Sequence, residues 1–281
     1  MGRDARDYQI LFLGCFLGLG ISARDWTLSL PWIGAILFSC LVIQTVFLLV
    51  KKWLEGSVLP TDWTPLKSAV ITGLGLCLLL RANHFSTLLL AVTVAIASKF
   101  CFQVKGKHFF NPANVGIIAA LSLTGDAWVS PGQWGTEIWL IALFLGAGGW
   151  ILGKVGRRET SGVFLLVYGG LVLLRNAWLG WSVDVTWHTL SSGSLLVFAL
   201  FMITEPRSIP NARASRILWA TAIALLSFIL QYGFYLKTAF FWALFAVSPL
   251  TILFDLYWPA PRFQWLSPRL FHAKDPVILA D

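Results

Sequence analysis

Residues 107–116 read Lys-His-Phe-Phe-Asn-Pro-Ala-Asn-Val-Gly, a polar stretch between two apolar runs. Asn111 suits a helix N-cap, and Pro112 suits the first helical turn, where a missing N–H costs nothing. A helix beginning there points unpaired N–H groups, the positive end of its dipole and the Asn111 and Asn114 amides at one place. In a membrane protein such groups require water, protein or a polar ligand.

The rest of the chain supplies the membrane. Of 281 residues, 57% are hydrophobic and 12% charged, and the mean hydropathy is +0.75, whereas soluble domains are about 25% charged. This composition predicts an all-α polytopic membrane protein forming one integral membrane domain over residues 1–281. Ten apolar segments fall near residues 8–23, 31–50, 66–81, 85–101, 112–129, 137–153, 161–175, 190–204, 215–235 and 238–257. Several are shorter than the roughly 20 residues a spanning helix needs, which predicts short or broken helices around an internal site. Arg3 and Arg6 before the first run resemble a signal peptide, but no clear cleavage site follows, so the first run reads as a retained helix.

The net charge of +8 does not indicate nucleic acid, because the cations sit in short loops. Seventeen of the 21 lie in the amino-terminal tail and every second loop; Arg24, Arg81, Arg175 and Lys237 lie on the other side. The positive-inside rule then places both termini in the cytoplasm of a bacterial cell, with the chain in its inner membrane. Outer-side tryptophans, among them Trp26, Trp128, Trp134, Trp178, Trp181 and Trp187, suit an interfacial belt. An internal echo pairs Arg81 with Arg175 and Pro112 with Pro206, which suggests a parallel repeat of four spans. Gly14-x-x-x-Gly18 and Gly149-x-x-x-Gly153 read as helix-packing grooves.

A second polar cluster, Met202-Ile-Thr-Glu-Pro-Arg-Ser-Ile-Pro-Asn211, also joins two apolar runs. Thr204 and Glu205 lie at or just below membrane depth, where an ionisable group is a functional candidate, and Arg207 can pair with Glu205 or an anionic ligand. Lys99, Lys105, Lys107 and His108 surround the first cluster; the lysines also fit the positive-inside bias. The four histidines form no mid-span facing pair and the four cysteines no CxxC, so neither haem nor an iron–sulfur cluster is expected. Acidic residues within spans are scarce, which argues against ion movement by a carboxylate relay.

Four blocks carry a resemblance. Ser68-Ala-Val-Ile-Thr-Gly-Leu, Ala95-Ile-Ala-Ser-Lys99 through Phe110-Asn-Pro-Ala113, Phe201-Met-Ile-Thr-Glu-Pro-Arg-Ser and Pro249–Asp255 resemble, over about residues 66–256, the family of NqrB, a membrane component of the sodium-pumping NADH:quinone oxidoreductase, and RnfD, its counterpart in the Rnf electron-transport complex. Glu205 stands where that family has Asp. The resemblance implies ten membrane helices, flavin-based electron transfer, redox partner subunits or a quinone, and FMN bound covalently to a Ser-Gly-Ala-Thr threonine. This chain departs from the family there: residues 128–137 read Trp-Val-Ser-Pro-Gly-Gln-Trp-Gly-Thr-Glu, leaving Thr136 as the nearby threonine. The expectation is therefore a flavin, FMN or riboflavin, held non-covalently by Lys107, His108, Asn111, Pro112, Asn114, Thr204, Glu205 and Arg207, with Phe109, Phe110 or Trp139 as aromatic walls. Such a protein would pass electrons within or across the membrane, and coupling to ion transport is left open. The alternative is a transporter for a small polar or flavin-like molecule on the same scaffold.

Overall fold

Long apolar runs without water to satisfy their backbone become helices, and the computed structural model, which describes residues 4–24, 28–56, 63–130 and 138–265, is almost entirely helical. In chain order the helices are α1 (Ala5–Arg24), α2 (Leu30–Leu54), α3 (Pro65–Leu79), α4 (Phe85–Cys101), α5 (Pro112–Leu123), α6 (Ile138–Val155), α7 (Arg158–Trp178), α8 (Val183–Leu190), α9 (Gly193–Val197, continued by a π-helical turn Phe198–Met202), α10 (Arg213–Tyr232), α11 (Ala239–Val247) and α12 (Leu250–Tyr257). Their ends follow local chemistry. Prolines open α2, α3 and α5, and Gly156 (φ +68°) and Gly180 (φ +69°) take the left-handed conformation that stops α6 and α7. Two short antiparallel ribbons complete the fold. β1 (Leu80–Ala82) pairs with β4 (Ala127–Val129), setting Arg81 opposite Trp128; β2 (Gln103–Val104) pairs with β3 (Lys107–His108).

Each of the ten apolar segments coincides with a helix or a bent helix pair; α8 is additional. Among the described residues α2, α7 and α10 are long and apolar enough to cross a membrane, or five spans if the pairs α8–α9 (bent 48°) and α11–α12 (bent 45°) each count once. The 12-residue α5 rises only about 18 Å at 1.5 Å per residue, against a hydrocarbon core of about 30 Å.

The helices form two units with one packing plan. In the first, α1 packs on α3, α2 on α3 and α4, and α4 on α5; in the second, α6 packs on α9, α7 on α8 and α10, and α10 on α11. A shared polar device marks the correspondence. After α5, Asp126 accepts from the backbone N–H groups of Asn83 (3.3 Å) and His84 (3.0 Å), at the start of α4, and from the Thr87 hydroxyl (2.7 Å). On α12, Asp255 accepts from the N–H of Asn211 (2.8 Å), just before α10. The spacing of Asn83 to Asn211 and of Asp126 to Asp255 gives a repeat of about 128 residues. The expected echo of four spans is thereby corrected: Arg81 lies in β1 and Arg175 in the last turn of α7, which are not equivalent elements.

The units meet where α1 packs on α6 and α5 on α11. Phe16 lies against Phe144 (centroids 4.1 Å apart), Phe110 stacks on Phe245 (4.9 Å), and the Asn114 amide donates to the Phe241 carbonyl (3.1 Å). The predicted glycine grooves are not where backbones approach most closely. A Cβ added at Gly14, Gly18 or Gly149 would meet nothing within 4 Å, and at Gly153 only the Arg158 side chain; at Gly116 it would lie 2.5 Å from the Ala91 carbonyl oxygen, where α5 presses on α4.

The ion pairs among the described residues each join groups that the loop charges place on one side, such as Lys67–Asp7, Lys107–Asp255 and Arg216–Glu159 on one and His84–Asp126 on the other. Trp128, Trp178, Trp181 and Trp187 are exposed. Arg3, Trp26, Trp134, Thr136, Arg269 and Lys274 lie outside the described residues.

Candidate functional site

Asn111 does cap α5: its Oδ1 accepts from the Asn114 N–H at 3.0 Å, with Pro112 in the first turn. Its Nδ2 donates to the Met202 carbonyl (3.0 Å), across the boundary between units. That acceptor belongs to the π-helical turn, where the N–H of Ile203 reaches back to Phe198. A π turn shifts the chain out of α register, a feature frequent at functional sites. The two polar clusters expected from the sequence therefore meet, and this buried amide is one of the bonds that join them.

Beyond the turn Glu205 folds back beneath α9. Its Oε1 lies 3.2 Å from His108 Nε2, and its Oε2 is buried without a hydrogen-bond partner among the described residues. His108 reaches it because the β2–β3 hairpin turns at Lys105 (φ +50°) and Gly106 (φ +76°). Burial pushes the Glu205 pKa up, but the His108 bond and the charges of His108, Lys99 and Arg207 outweigh burial and hold it below the usual glutamate value. Glu205 is thus a carboxylate at neutral pH with one oxygen still able to accept.

Glu205, Asn111 and Pro112 line a cleft between the units together with Ser68 and Thr72 of α3, Gln9 of α1, Phe201 of the π turn and Trp265. The cleft contains about 560 Å³ of space between atoms, of which about 50 Å³ is open to the centre of a water molecule. It is a narrow, partly open slot, mostly apolar with a few polar groups.

The other expected site residues are placed elsewhere. Lys107 is a structural pin: its ammonium donates to Asp255 (2.5 Å), the Ile209 carbonyl (2.7 Å) and Asn211 Oδ1 (3.1 Å). Asn114 is fully buried and spends its Nδ2 on Phe241. The Thr204 hydroxyl is buried and donates to its own helix at Leu200. Arg207 and His108 line a neighbouring cavity rather than the cleft. Of the expected aromatic walls, Phe109 lines a separate groove, Phe110 is taken up by Phe245, and Trp139 is exposed on α6. The aromatic residues that line the cleft are instead Phe201 and Trp265.

The cleft residues that the sequence reading passed over do carry a signal. Ser68 and Thr72 stand four apart in an apolar helix and so share a face. Gln44, buried within α2, is another polar residue inside an apolar run.

The slot tests what it could hold. The lining offers the Glu205 carboxylate, the Ser68 hydroxyl and the Gln9 amide, with Phe201 and Trp265 among them, the kinds of group that bind a planar heteroaromatic ring, while the Thr72 hydroxyl is spent on the Ser68 carbonyl (2.8 Å). No cluster of three or more metal-ligating side chains occurs among the described residues.

No known family profile matches the chain. The chain is 24% identical over 244 residues, 73% of its length and 74% of the relative's, to one component, designated D, of the Na+-translocating ferredoxin:NAD+ oxidoreductase complex of Acetobacterium woodii. This distant likeness to part of a membrane electron-transport complex agrees with the resemblance to NqrB and RnfD carried by the motifs.

Proposed function

We propose that this chain is an electron-transfer component of a bacterial inner-membrane complex that holds a flavin non-covalently in the cleft between its two units. The observation that carries the reading is Glu205, which lines the slot with Asn111, Ser68 and Thr72 and whose buried Oε2, without a hydrogen-bond partner among the described residues, needs only to turn toward the slot to meet a ligand. The imide N–H of a flavin ring is the partner that oxygen lacks, and the hydroxyls and amides serve the ring's carbonyl edge. The distant likeness to an Rnf component supports the same reading, with partner subunits as the source and sink of electrons.

In this reading each of the five elements of a unit crosses the membrane once. Two units of odd number then lie in opposite orientation, giving ten crossings with both termini cytoplasmic. The cleft opens near the cytoplasmic face.

A bound flavin would supply hydride and single-electron chemistry. The chain's own groups do the rest. Glu205 fixes the ring's edge and is itself oriented by His108. Asn111 ties α5 to the π turn, so the two halves of the slot keep their spacing. Phe201 and Trp265 exclude water and must rotate outward to admit a ring, since little open volume is present.

Purified protein should show a flavin absorption band that acid precipitation releases into the supernatant. Glu205→Ala should lower occupancy several-fold while the protein still inserts and folds. Colourless, folded protein that takes up no added flavin would refute the proposal.

A second reading, a transporter for a small polar molecule, is favoured by the bent pairs α8–α9 and α11–α12 and the slot between units. Release of a ligand without any redox-active chromophore would select it.

A further inference from the structure

Next to the cleft lies a second cavity among α1–α4, with about 390 Å³ open to the centre of a water molecule against about 50 Å³ in the cleft, and with Ser68 and Trp265 lining both. Its charged lining is all cationic: Arg6, Lys51, Lys99 and Arg207, with His108 beside them, and no carboxylate. Lys99 is the centre of interest. It stands in the last turn of α4, where a lysine side chain normally reaches water, yet it is only 7% exposed. Its ammonium is held by three neutral acceptors at long range, the Ser68 carbonyl (3.2 Å), the Ser68 hydroxyl (3.3 Å) and Gln44 Oε1 (3.4 Å), and it has no ion pair among the described residues. Arg207, exposed at the rim, has no ion pair there either. Asp4 is paired with Arg6 and Glu205 Oε1 with His108; the Glu205 carboxylate is near enough for its charge to act on Lys99 and Arg207 but makes no ion pair with either.

A buried ammonium among neutral acceptors is costly unless an anion joins it. The cavity has room for that anion, and Ser68 connects the two chambers directly, lining the cleft while bonded to Lys99. We propose that this cavity takes the phosphate of a phosphorylated flavin whose ring occupies the cleft, so that the ligand is FMN rather than riboflavin. The inference rests on the flavin reading of the cleft. A phospholipid headgroup offers the same chemistry to the same cations, and the test separates the two sources.

The experiment titrates flavin-stripped protein in neutral detergent with FMN and with riboflavin, following quenching of flavin fluorescence. FMN should bind at least about tenfold more tightly, the equivalent of about 1.4 kcal/mol for one charge-assisted contact. Lys99→Gln should remove that advantage and leave riboflavin binding unchanged, and raised salt should weaken FMN alone. If Lys99→Gln fails to fold, the rim pair Lys51→Gln with Arg207→Gln carries the same expectation. Equal affinities for the two flavins would overturn the phosphate site while leaving the flavin reading intact. Failure of both to bind would overturn both. Equal affinities together with a melting temperature raised by phosphatidylglycerol in wild type but not in Lys99→Gln would assign the cavity to a lipid headgroup instead.

Discussion

Asn111 makes two bonds with different jobs, and substitution can separate them. Its Oδ1 caps α5 through the Asn114 N–H, and its Nδ2 ties the first unit to the Met202 carbonyl of the second, both at 3.0 Å and both buried. Asn111→Ala removes both. Loss of the cap costs about 1 kcal/mol, and loss of the buried amide–carbonyl bond about another 1–2 kcal/mol, since the carbonyl keeps only a 3.4 Å contact from the Glu205 N–H. At roughly 2–4 °C per kcal/mol for a domain of this size, the sum of about 2–3 kcal/mol lowers the apparent melting temperature by roughly 4–12 °C. Asn111→Ser keeps a capping oxygen but cannot reach Met202, so it should lose only the second part and melt between wild type and Asn111→Ala. The assay is intrinsic tryptophan fluorescence on heating in one detergent, with the three proteins run together. If Asn111→Ser melts with wild type, the tie to Met202 has no energetic role. If it melts with Asn111→Ala, the cap has none. If all three coincide, the account of how the two polar clusters are joined is wrong.

Gly116→Ala should destabilise by about 1–3 kcal/mol, because the new Cβ meets a backbone oxygen that cannot rotate away, whereas Gly149→Ala, facing open space, should be neutral or stabilising in the same melt. Lys107→Met should cost about 1–3 kcal/mol by leaving Asp255 without its cation, and a cycle with Asp255→Asn should show coupling above about 0.5 kcal/mol; additive losses would remove the pin from the fold. The bond from Thr87 first, then those from Asn83 and His84, hold the Asp126 carboxyl far below its usual value of 3.8 against the opposing effect of desolvation. A lowered folded-state pKa gives stability that is complete above the unfolded value and disappears as pH falls through the folded one. The melting difference between wild type and Asp126→Asn should therefore be complete at pH 5 and above and shrink progressively as pH falls below about 4, toward the folded-state value; a difference that vanishes by pH 5 would contradict the bonding.

Composition and loop charges were enough to place ten helical segments, because burial in lipid leaves the backbone few options. The polar clusters were legible for the same reason: a capped helix start inside an apolar chain has to be explained by a contact. Which contact it makes was not legible. Asn114 and Thr204 carry suitable groups, yet a fully buried amide finds the nearest carbonyl, here Phe241, and a buried threonine bonds back to its own helix turn. Lys107 read as a ligand cation because Asp255, 148 residues away, is not visible as its partner in the sequence. Lys99 read as a loop charge because its side-chain direction into the protein depends on how α4 packs against α2 and α3. The repeat is hidden in its true register because its markers, Asn83 with Asp126 and Asn211 with Asp255, lie in short loops or near a helix break and align only once the helices are paired.

The repeat also separates scaffold from function without any comparison between proteins. A group needed to build one unit should occur in both, and the carboxylates after the fifth element do: Asp126 and Asp255 each hold the start of the unit's fourth element. The groups around the cleft and the cationic cavity are single. The register that matches Asp126 to Asp255 puts leucines or valine opposite Ser68, Ala-Leu-Phe opposite Thr72, Leu-Ser-Phe opposite Lys99 and Leu-Cys-Leu opposite Glu205. No amine or carboxylate recurs at any of these places, so building a unit does not require one. The break that makes α8, α9 and the π turn is likewise absent from the equivalent α3, which runs unbroken. Polar groups that the scaffold does not need, gathered where its two halves differ, are what the proposal of a ligand in the cleft rests on.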